Sequence, residues 1–320
     1  VLLPNGNKMN LSASIGISWY PQDSIYFDFL KKYADFAMYQ VKKSTKGNLA
    51  EFDKALYEDE KHDRQMHLEF YQLIEKEQLT YHFQPILSAK NGEIIAYEAL
   101  MRSQLATLKN PEMILKIARE ENKLEDVERI CIFKSTETFD QLRKNKLVKE
   151  DALLFINSIA SVSLNDEDRE RFHRYFSHIQ SQIVVEVTEE ENMSEEALIR
   201  KRETKGFSGM FALDDYGSGY NTEINLLNLS PKYIKIDLTI VRNIDKDFDK
   251  QQLVSNIVEY AHQREGYIIA EGIETKEELL KVLELGVDYL QGYYLSYPQL
   301  NPQEVSNESI KTIENYWKKR

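Results

Sequence analysis

The chain has 320 residues, 42% of them hydrophobic, and a formal net charge of −12. That length accommodates one large barrel of roughly 250 residues plus a smaller piece, and the charge excludes long DNA or RNA as a non-specific partner because it repels a polyanion. No run of about 18 apolar residues could span a membrane, and the opening VLLPNGNKMNLSAS lacks the basic and apolar regions of a signal peptide. A small anionic substrate stays open if metal ions bring the positive charge to it. The one cysteine, Cys131, cannot form an internal disulfide; it reads as a small buried hydrophobe in a protein of the reducing cytoplasm.

In chain order, residues 14–20, SIGISWY, predict a strand ended by the turn Pro21-Gln22-Asp23. Phe29, Leu30, Tyr33, Phe36 and Ala37 follow at helical spacing. Lys46-Gly47-Asn48 breaks that pattern before a short LAEFD segment. From about 54 to 78 the chain predicts a connecting helix with Met66, Phe70, Leu73 and Ile74 on one stripe.

A long alternation follows. Strands are predicted at 81–88, 93–102, 153–158, 183–189, 210–217, 233–237, 267–273 and 289–295, with amphipathic helical stretches such as PEMILKIAREEN and TKEELLKVLELG between most of them. Thr275 with Glu278 is a capping-box pattern that starts the last of these helices, and Gly286 is placed to stop it. Repeated β-α units imply a mostly parallel sheet with helices outside. This many strands over about 240 residues favour a closed barrel over an open doubly wound sheet. No glycine-rich phosphate loop supports the open-sheet alternative.

A buried parallel strand should read as a continuous apolar run. Several of these strands do so and then end in an acid or an amide: Glu98, Asn157, Glu186, Asp214 with Asp215, and Glu271; Lys235 sits in YIKID. A single strand-end acid is more often a helix cap or an ion-pair partner. A whole set on different strands calls for common compensation, because an unpaired buried charge costs several kcal/mol. Strand C-termini of a barrel converge on one face, where active sites lie. The set contains neither histidine nor cysteine, so it suits Mg²⁺ or Mn²⁺ and disfavours zinc or copper. Its carboxylates exceed what one divalent ion takes, which suggests two ions sharing a bridging acid. Enolase-like lyases also place acids and lysine on a barrel rim, and the pattern alone does not separate them from a phosphodiesterase.

The motifs carry a resemblance. Glu98-Ala99-Leu100-Met101-Arg102 matches the ExLxR signature of the EAL family of cyclic di-GMP phosphodiesterases. Phe83-Gln84-Pro85-Ile86 resembles the family's FQPI, Glu186-Val187-Thr188-Glu189 its ExTE, and Asp214-Asp215-Tyr216-Gly217-Ser218-Gly219-Tyr220 its DDFGTGY. Lys235-Ile236-Asp237, Glu271-Gly272-Ile273-Glu274 and Gln291-Gly292-Tyr293 resemble KID, EGVE and QGY. The resemblance implies a TIM-like α/β barrel, (β/α)8 with one antiparallel strand, over 79–320. It implies metal-dependent hydrolysis of cyclic di-GMP to linear pGpG by in-line attack of a metal-activated water. It further implies a first cation held by Glu98, Asn157, Glu186 and Asp214, and a second held by Asp214, Asp215 and Glu271. Lys235, Glu271 and Glu189 would serve catalysis, Glu189 by anchoring the loop after the acidic pair. Gln84, Leu100, Arg102 and Gln291 would contact the substrate. A homodimer through the barrel, near that loop, is implied as well. The loop departs from the family in having Asn221-Thr222 where the family has two serines. The alternative is therefore a catalytically silent domain that binds cyclic di-GMP as a sensor.

Residues 1–55 resemble the last third of a GGDEF diguanylate cyclase domain through Ser14-Ile15-Gly16-Ile17-Ser18, Tyr20-Pro21 and Ala34-Asp35-Phe36-Ala37-Met38-Tyr39 with Lys42. The segment that would carry the signature loop is not in this sequence, so no cyclase activity is expected. The resulting division is a partial α+β GGDEF fragment at 1–55, a connecting helix at 56–78 and the barrel at 79–320.

Overall fold

The computed structural model describes residues 8, 12–44, 47–188, 210–218, 226, 227, 229–302 and 305–320. The chain divides into two compact units, Val1–Glu69 and Phe70–Arg320. The division falls inside one continuous helix, α2 (Lys54–Lys76).

In the first unit, β1 (Ile15–Ile17) pairs in parallel with β2 (Leu49–Glu51), and α1 (Phe27–Ser44) joins them. Gly16 lets α1 lie directly on β1: a Cβ there would stand 1.9 Å from the Ala34 carbonyl oxygen. The strand predicted over 14–20 is shorter because the chain is already turning at Trp19. Its N–H donates to Asp23 Oδ2 at 2.6 Å and its carbonyl accepts from Asp23 N at 2.8 Å. Tyr33 stacks on Phe52 at 4.1 Å between ring centroids, with Phe36 and Tyr57 edge-on to the pair.

The second unit is a closed barrel of β3 (Leu79–Ser88), β4 (Ile94–Ser103), β5 (Leu153–Asn157), β6 (Ile183–Thr188), β7 (Met210–Tyr216), β8 (Tyr233–Ile236), β9 (Tyr267–Ala270) and β10 (Tyr289–Leu290). β3 runs antiparallel to both neighbours, β4 and β10, and the other pairings are parallel. The barrel expected from the sequence is thus present, with its single reversed strand. Outside it lie α3 (Pro111–Glu120), α4 (Leu124–Lys144), α5 (Asp166–Phe176), α6 (Phe248–His262), α7 (Lys276–Glu284) and α8 (Asn307–Lys318). Asn110, Asn165 and Asp247 cap the N-termini of α3, α5 and α6, each satisfying amide groups the helix itself leaves unpaired. The capping box of Thr275 and Glu278 is formed at the start of α7. No helix among the described residues is long and apolar enough to cross a membrane.

Alternation along each strand fills the barrel. Ile86, Ala96, Phe155, Val184, Ala212, Tyr233 and Ile269, one from each of β3 to β9, form an interior apolar cluster. Residues of opposite parity, such as Val185, Leu213, Ile234 and Ile268, belong to the larger core that includes Val254, Ile257 and Leu279 from α6 and α7. The last strand is two residues long rather than the predicted 289–295. Gly292 crosses the chain after β9 so closely that a Cβ would lie 2.2 Å from Ile273 N, and Ile273 N donates to Gln291 O at 3.1 Å. The chain therefore leaves the ladder to make that crossing.

Candidate functional site

Strand periodicity places the site. Side chains two residues apart share a face, so the position two residues after each interior apolar residue also faces inward, nearer the C-terminal mouth. Those positions are Glu98 after Ala96, Asn157 after Phe155, Glu186 after Val184, Asp214 after Ala212, Lys235 after Tyr233 and Glu271 after Ile269. On reversed β3 the equivalent residue precedes Ile86: it is Gln84, directly across the ladder from Glu98. An apolar floor thus lies beneath a polar ring.

Asp215 should by alternation point outward. Its φ of 57° and a register irregularity between β7 and β8 bend the chain there, and its carboxylate joins those of Asp214 and Glu271. Oxygens of Glu98, Glu186 and Asp214 lie within 4.8 Å of one another, and so do oxygens of Asp214, Asp215 and Glu271. Asp214 belongs to both triads. Among them, the fully buried Lys235 ammonium approaches Glu186 Oε1 at 2.5 Å, Glu271 Oε1 at 2.7 Å, Asp214 Oδ1 at 2.9 Å and Glu98 Oε2 at 3.4 Å.

Glu98 is the best-held acid. Its Oε1 accepts from Asn157 Nδ2 at 3.1 Å and its Oε2 from Gln291 Nε2 at 2.6 Å. Gln291 Nε2 also donates to Gln84 Oε1 at 3.3 Å, and Gln84 Nε2 to Ser296 O at 3.1 Å. Burial works against the Glu98 carboxylate, but Lys235, Gln291 and Asn157 outweigh it and hold its pKa below the ordinary value. The other acids go the opposite way. Burial, then the charge of Glu98, pushes Glu186 well up. Burial first and neighbouring carboxylates second raise Asp214 and Glu271 despite Lys235. Burial and Asp214 push Asp215 up to about 6. Lys235 is itself buried, which favours the neutral amine, yet the surrounding carboxylates keep it charged.

One lysine cannot compensate five carboxylates. Glu186 Oε2 is buried with no hydrogen-bond donor among the described residues, so the ring has both the charge and the open lone pairs for a cation. The donors are all oxygen, which fits a hard divalent ion. Leu100 and Arg102 continue the Glu98 face toward the mouth and are half-buried, and the Arg102 guanidinium donates to Met101 O at 2.8 Å. Glu189, and Asn221 with Thr222, lie outside the described residues.

Asp237, the last residue of the KID motif, directly follows β8 and caps the helical turn Leu238–Val241, accepting from Thr239 N at 2.9 Å. One further residue is not evident from the sequence. Glu128, on α4, accepts from the turn that follows Asn157. The signal for Glu128 is an acid on the apolar stripe of a helix, beside Val127, Ile130 and Cys131, all buried. Cys131 itself is buried, and its thiol is pushed up to about 12 chiefly by burial.

Fold and ring together define a β/α barrel with an acidic, lysine-containing centre at its mouth whose oxygens could hold a metal ion. The EAL domain model matches residues 67–298, and the chain belongs to the EAL domain family. It is 28% identical over 305 residues to the bifunctional diguanylate cyclase/cyclic di-GMP phosphodiesterase MucR of Pseudomonas aeruginosa, covering 91% of this chain and 43% of that protein. To the cyclic di-GMP phosphodiesterase NbdA of the same organism it is 27% identical over 305 residues, covering 92% and 38%. The solved PaMucR phosphodiesterase in its c-di-GMP complex superposes with a TM-score of 0.62 at 26% identity, over 73% of this chain and 97% of that one. The chain thus spans about two fifths of the length of the curated relatives it matches.

Proposed function

We propose that the barrel hydrolyses cyclic di-GMP to linear pGpG, in bacterial second-messenger signalling. The observation that carries the reading is Asp214, shared between two oxygen triads with Lys235 among them. Glu98, Asn157, Glu186 and Asp214 would hold one Mg²⁺ or Mn²⁺, and Asp214, Asp215 and Glu271 a second. Bound ions supply a water of lowered pKa and draw off phosphoryl charge.

The chain's own groups do the rest. Lys235 stays protonated at neutral pH and is directed at the Glu271, Asp214 and Glu186 oxygens, so it orients the attacking oxygen and offsets charge developing on the phosphoryl group. Glu271, whose Oε1 lies 2.7 Å from the Lys235 ammonium, serves as base or as ligand. Gln291 and Gln84, linked to Glu98, fix one wall of the substrate site, and Leu100 and Arg102 extend it at the mouth. Glu189 would anchor the loop after the acidic pair. The reading extends to a cytoplasmic homodimer formed through the barrel, and to residues 1–55 as the C-terminal part of a GGDEF-like domain.

The test is to incubate the chain with cyclic di-GMP and Mg²⁺ or Mn²⁺ and separate the products by chromatography, with an EDTA control. Metal-dependent pGpG supports the reading. Tight binding of unaltered cyclic di-GMP in the presence of either ion would overturn it in favour of a sensor.

A further inference from the structure

We propose that Glu128 is a positioning residue for Asn157 and, through it, for the cation-binding side of the centre; this rests on the reading just given. Glu128 is 2% exposed and lies on α4, outside the barrel. Its Oε2 accepts from Ile159 N at 2.9 Å, and its Oε1 accepts from the Ser158 hydroxyl. From the other side, Ser158 N donates to Glu186 O at 3.0 Å. The two residues directly after Asn157 are therefore gripped from β6 and from α4 together.

Asn157 needs that grip more than its neighbours do. It is the neutral member of the proposed ligand set, so a cation attracts it less strongly than a carboxylate. It also stands at the exposed end of β5, where, among the described residues, its side chain bonds to Glu98. That bond uses Nδ2, which leaves Oδ1 as the atom available to an ion. The bond to Glu98 and the backbone frame together fix where Oδ1 points, and that frame is held by β6 on one side and by the Glu128 carboxylate on the other.

The cost of the arrangement supports a purpose. Val127, Ile130 and Ile132 are buried around this position, where a hydrophobe would pack without desolvation. A buried carboxylate costs several kcal/mol unless hydrogen-bonded donors compensate it. Groups outside a set of ligands commonly alter metal affinity by 10–100-fold through the ligands they orient.

The experiment compares the full chain with Glu128→Leu, Glu128→Gln and Ser158→Ala. Mn²⁺ binding is followed by electron paramagnetic resonance without substrate, folding by thermal melts, and turnover as kcat and KM for cyclic di-GMP. Glu128→Leu is expected to weaken Mn²⁺ binding about tenfold and to lower kcat with KM nearly unchanged. Glu128→Gln keeps an oxygen for Ile159 N and should recover most of both, whereas Ser158→Ala should fall between. A folded Glu128→Leu chain with wild-type Mn²⁺ affinity overturns the proposal, as does a Glu128→Gln chain no better than Leu. If Glu128→Leu does not fold, Ser158→Ala decides, and unchanged affinity there overturns it. Because Mn²⁺ is titrated without substrate, a wild-type chain that binds the ion yet leaves cyclic di-GMP intact identifies a failure of the phosphodiesterase reading instead.

Discussion

The Lys235 ammonium lies 2.9 Å from Asp214 Oδ1, and Asp214 is the acid common to both oxygen triads. Lysine and shared carboxylate are buried side by side, so the charge balance of the whole ring turns on this contact. Changing Asp214 to Asn removes charge from both triads, whereas Glu98→Ala removes it from one. Each should lower turnover by more than the roughly 100-fold that loss of an outer-shell partner can cost, with an unchanged far-UV spectrum. Steady-state kinetics on the two variants checks this, and a folded variant at near-wild-type rate contradicts the ligand assignment.

Glu278 ties two mouth loops together. Its Oε1 accepts from Asn243 N at 2.9 Å and its Oε2 from Glu274 N and Thr275 N, both at 3.0 Å. Burial alone would raise its pKa, but these backbone donors outweigh it and hold the folded value below the ordinary 4.5. A depressed carboxylate contributes stability that is present above pH 4.5 and is lost as pH falls through the folded value. Glu278→Gln should therefore cost about 1–3 kcal/mol at pH 7, and the deficit should shrink as pH falls below 4.5. Urea unfolding at the two pH values measures it; a deficit independent of pH contradicts the assignment.

Cys131 should be inert in the folded chain. With its pKa pushed up to about 12, the thiol stays protonated at pH 8 and offers almost no thiolate to an electrophile. Reaction with a thiol-specific disulfide reagent at pH 8 should be slow in buffer and complete within minutes in urea. Equal rates in both would contradict the burial described.

Gly292 has no room for a side chain. At its φ of 154° a Cβ would lie 2.2 Å from Ile273 N and 2.3 Å from Ile273 O, both backbone atoms that cannot swing aside. Gly292→Ala should destabilise the barrel by about 3 kcal/mol and lower kcat as well, because Gln291, bonded to Glu98, is its neighbour. Thermal melts and kinetics test both effects; an alanine variant with wild-type Tm contradicts the crossing geometry.

The polar ring was legible because a strand alternates: once Ala96, Phe155, Val184, Ala212, Tyr233 and Ile269 face the interior, the acids, amide and lysine two residues on must do so too. Helix ends were legible where a local signal existed, as with Thr275 and Glu278. Asp215 is turned inward by a left-handed residue that periodicity cannot anticipate, and β10 is cut short by a contact with Ile273, distant from Gly292 in sequence. Glu128 was missed for the same reason: its partners, Ser158 and Ile159, lie about 30 residues away, and no spacing rule connects a helix on the outside to a turn at the mouth.

The most direct measurement follows the oxygen. Cyclic di-GMP is converted in ¹⁸O-labelled water with Mn²⁺, and the product is examined by mass spectrometry. In-line hydrolysis forms a bond from water oxygen to phosphorus, breaks the P–O3′ bond and leaves the 3′ oxygen as a hydroxyl. The account predicts pGpG with one ¹⁸O in its 5′-phosphate, formed with the ion and not with EDTA. Recovery of intact cyclic di-GMP from a metal-loaded, folded chain, or a linear product without the label, would contradict it.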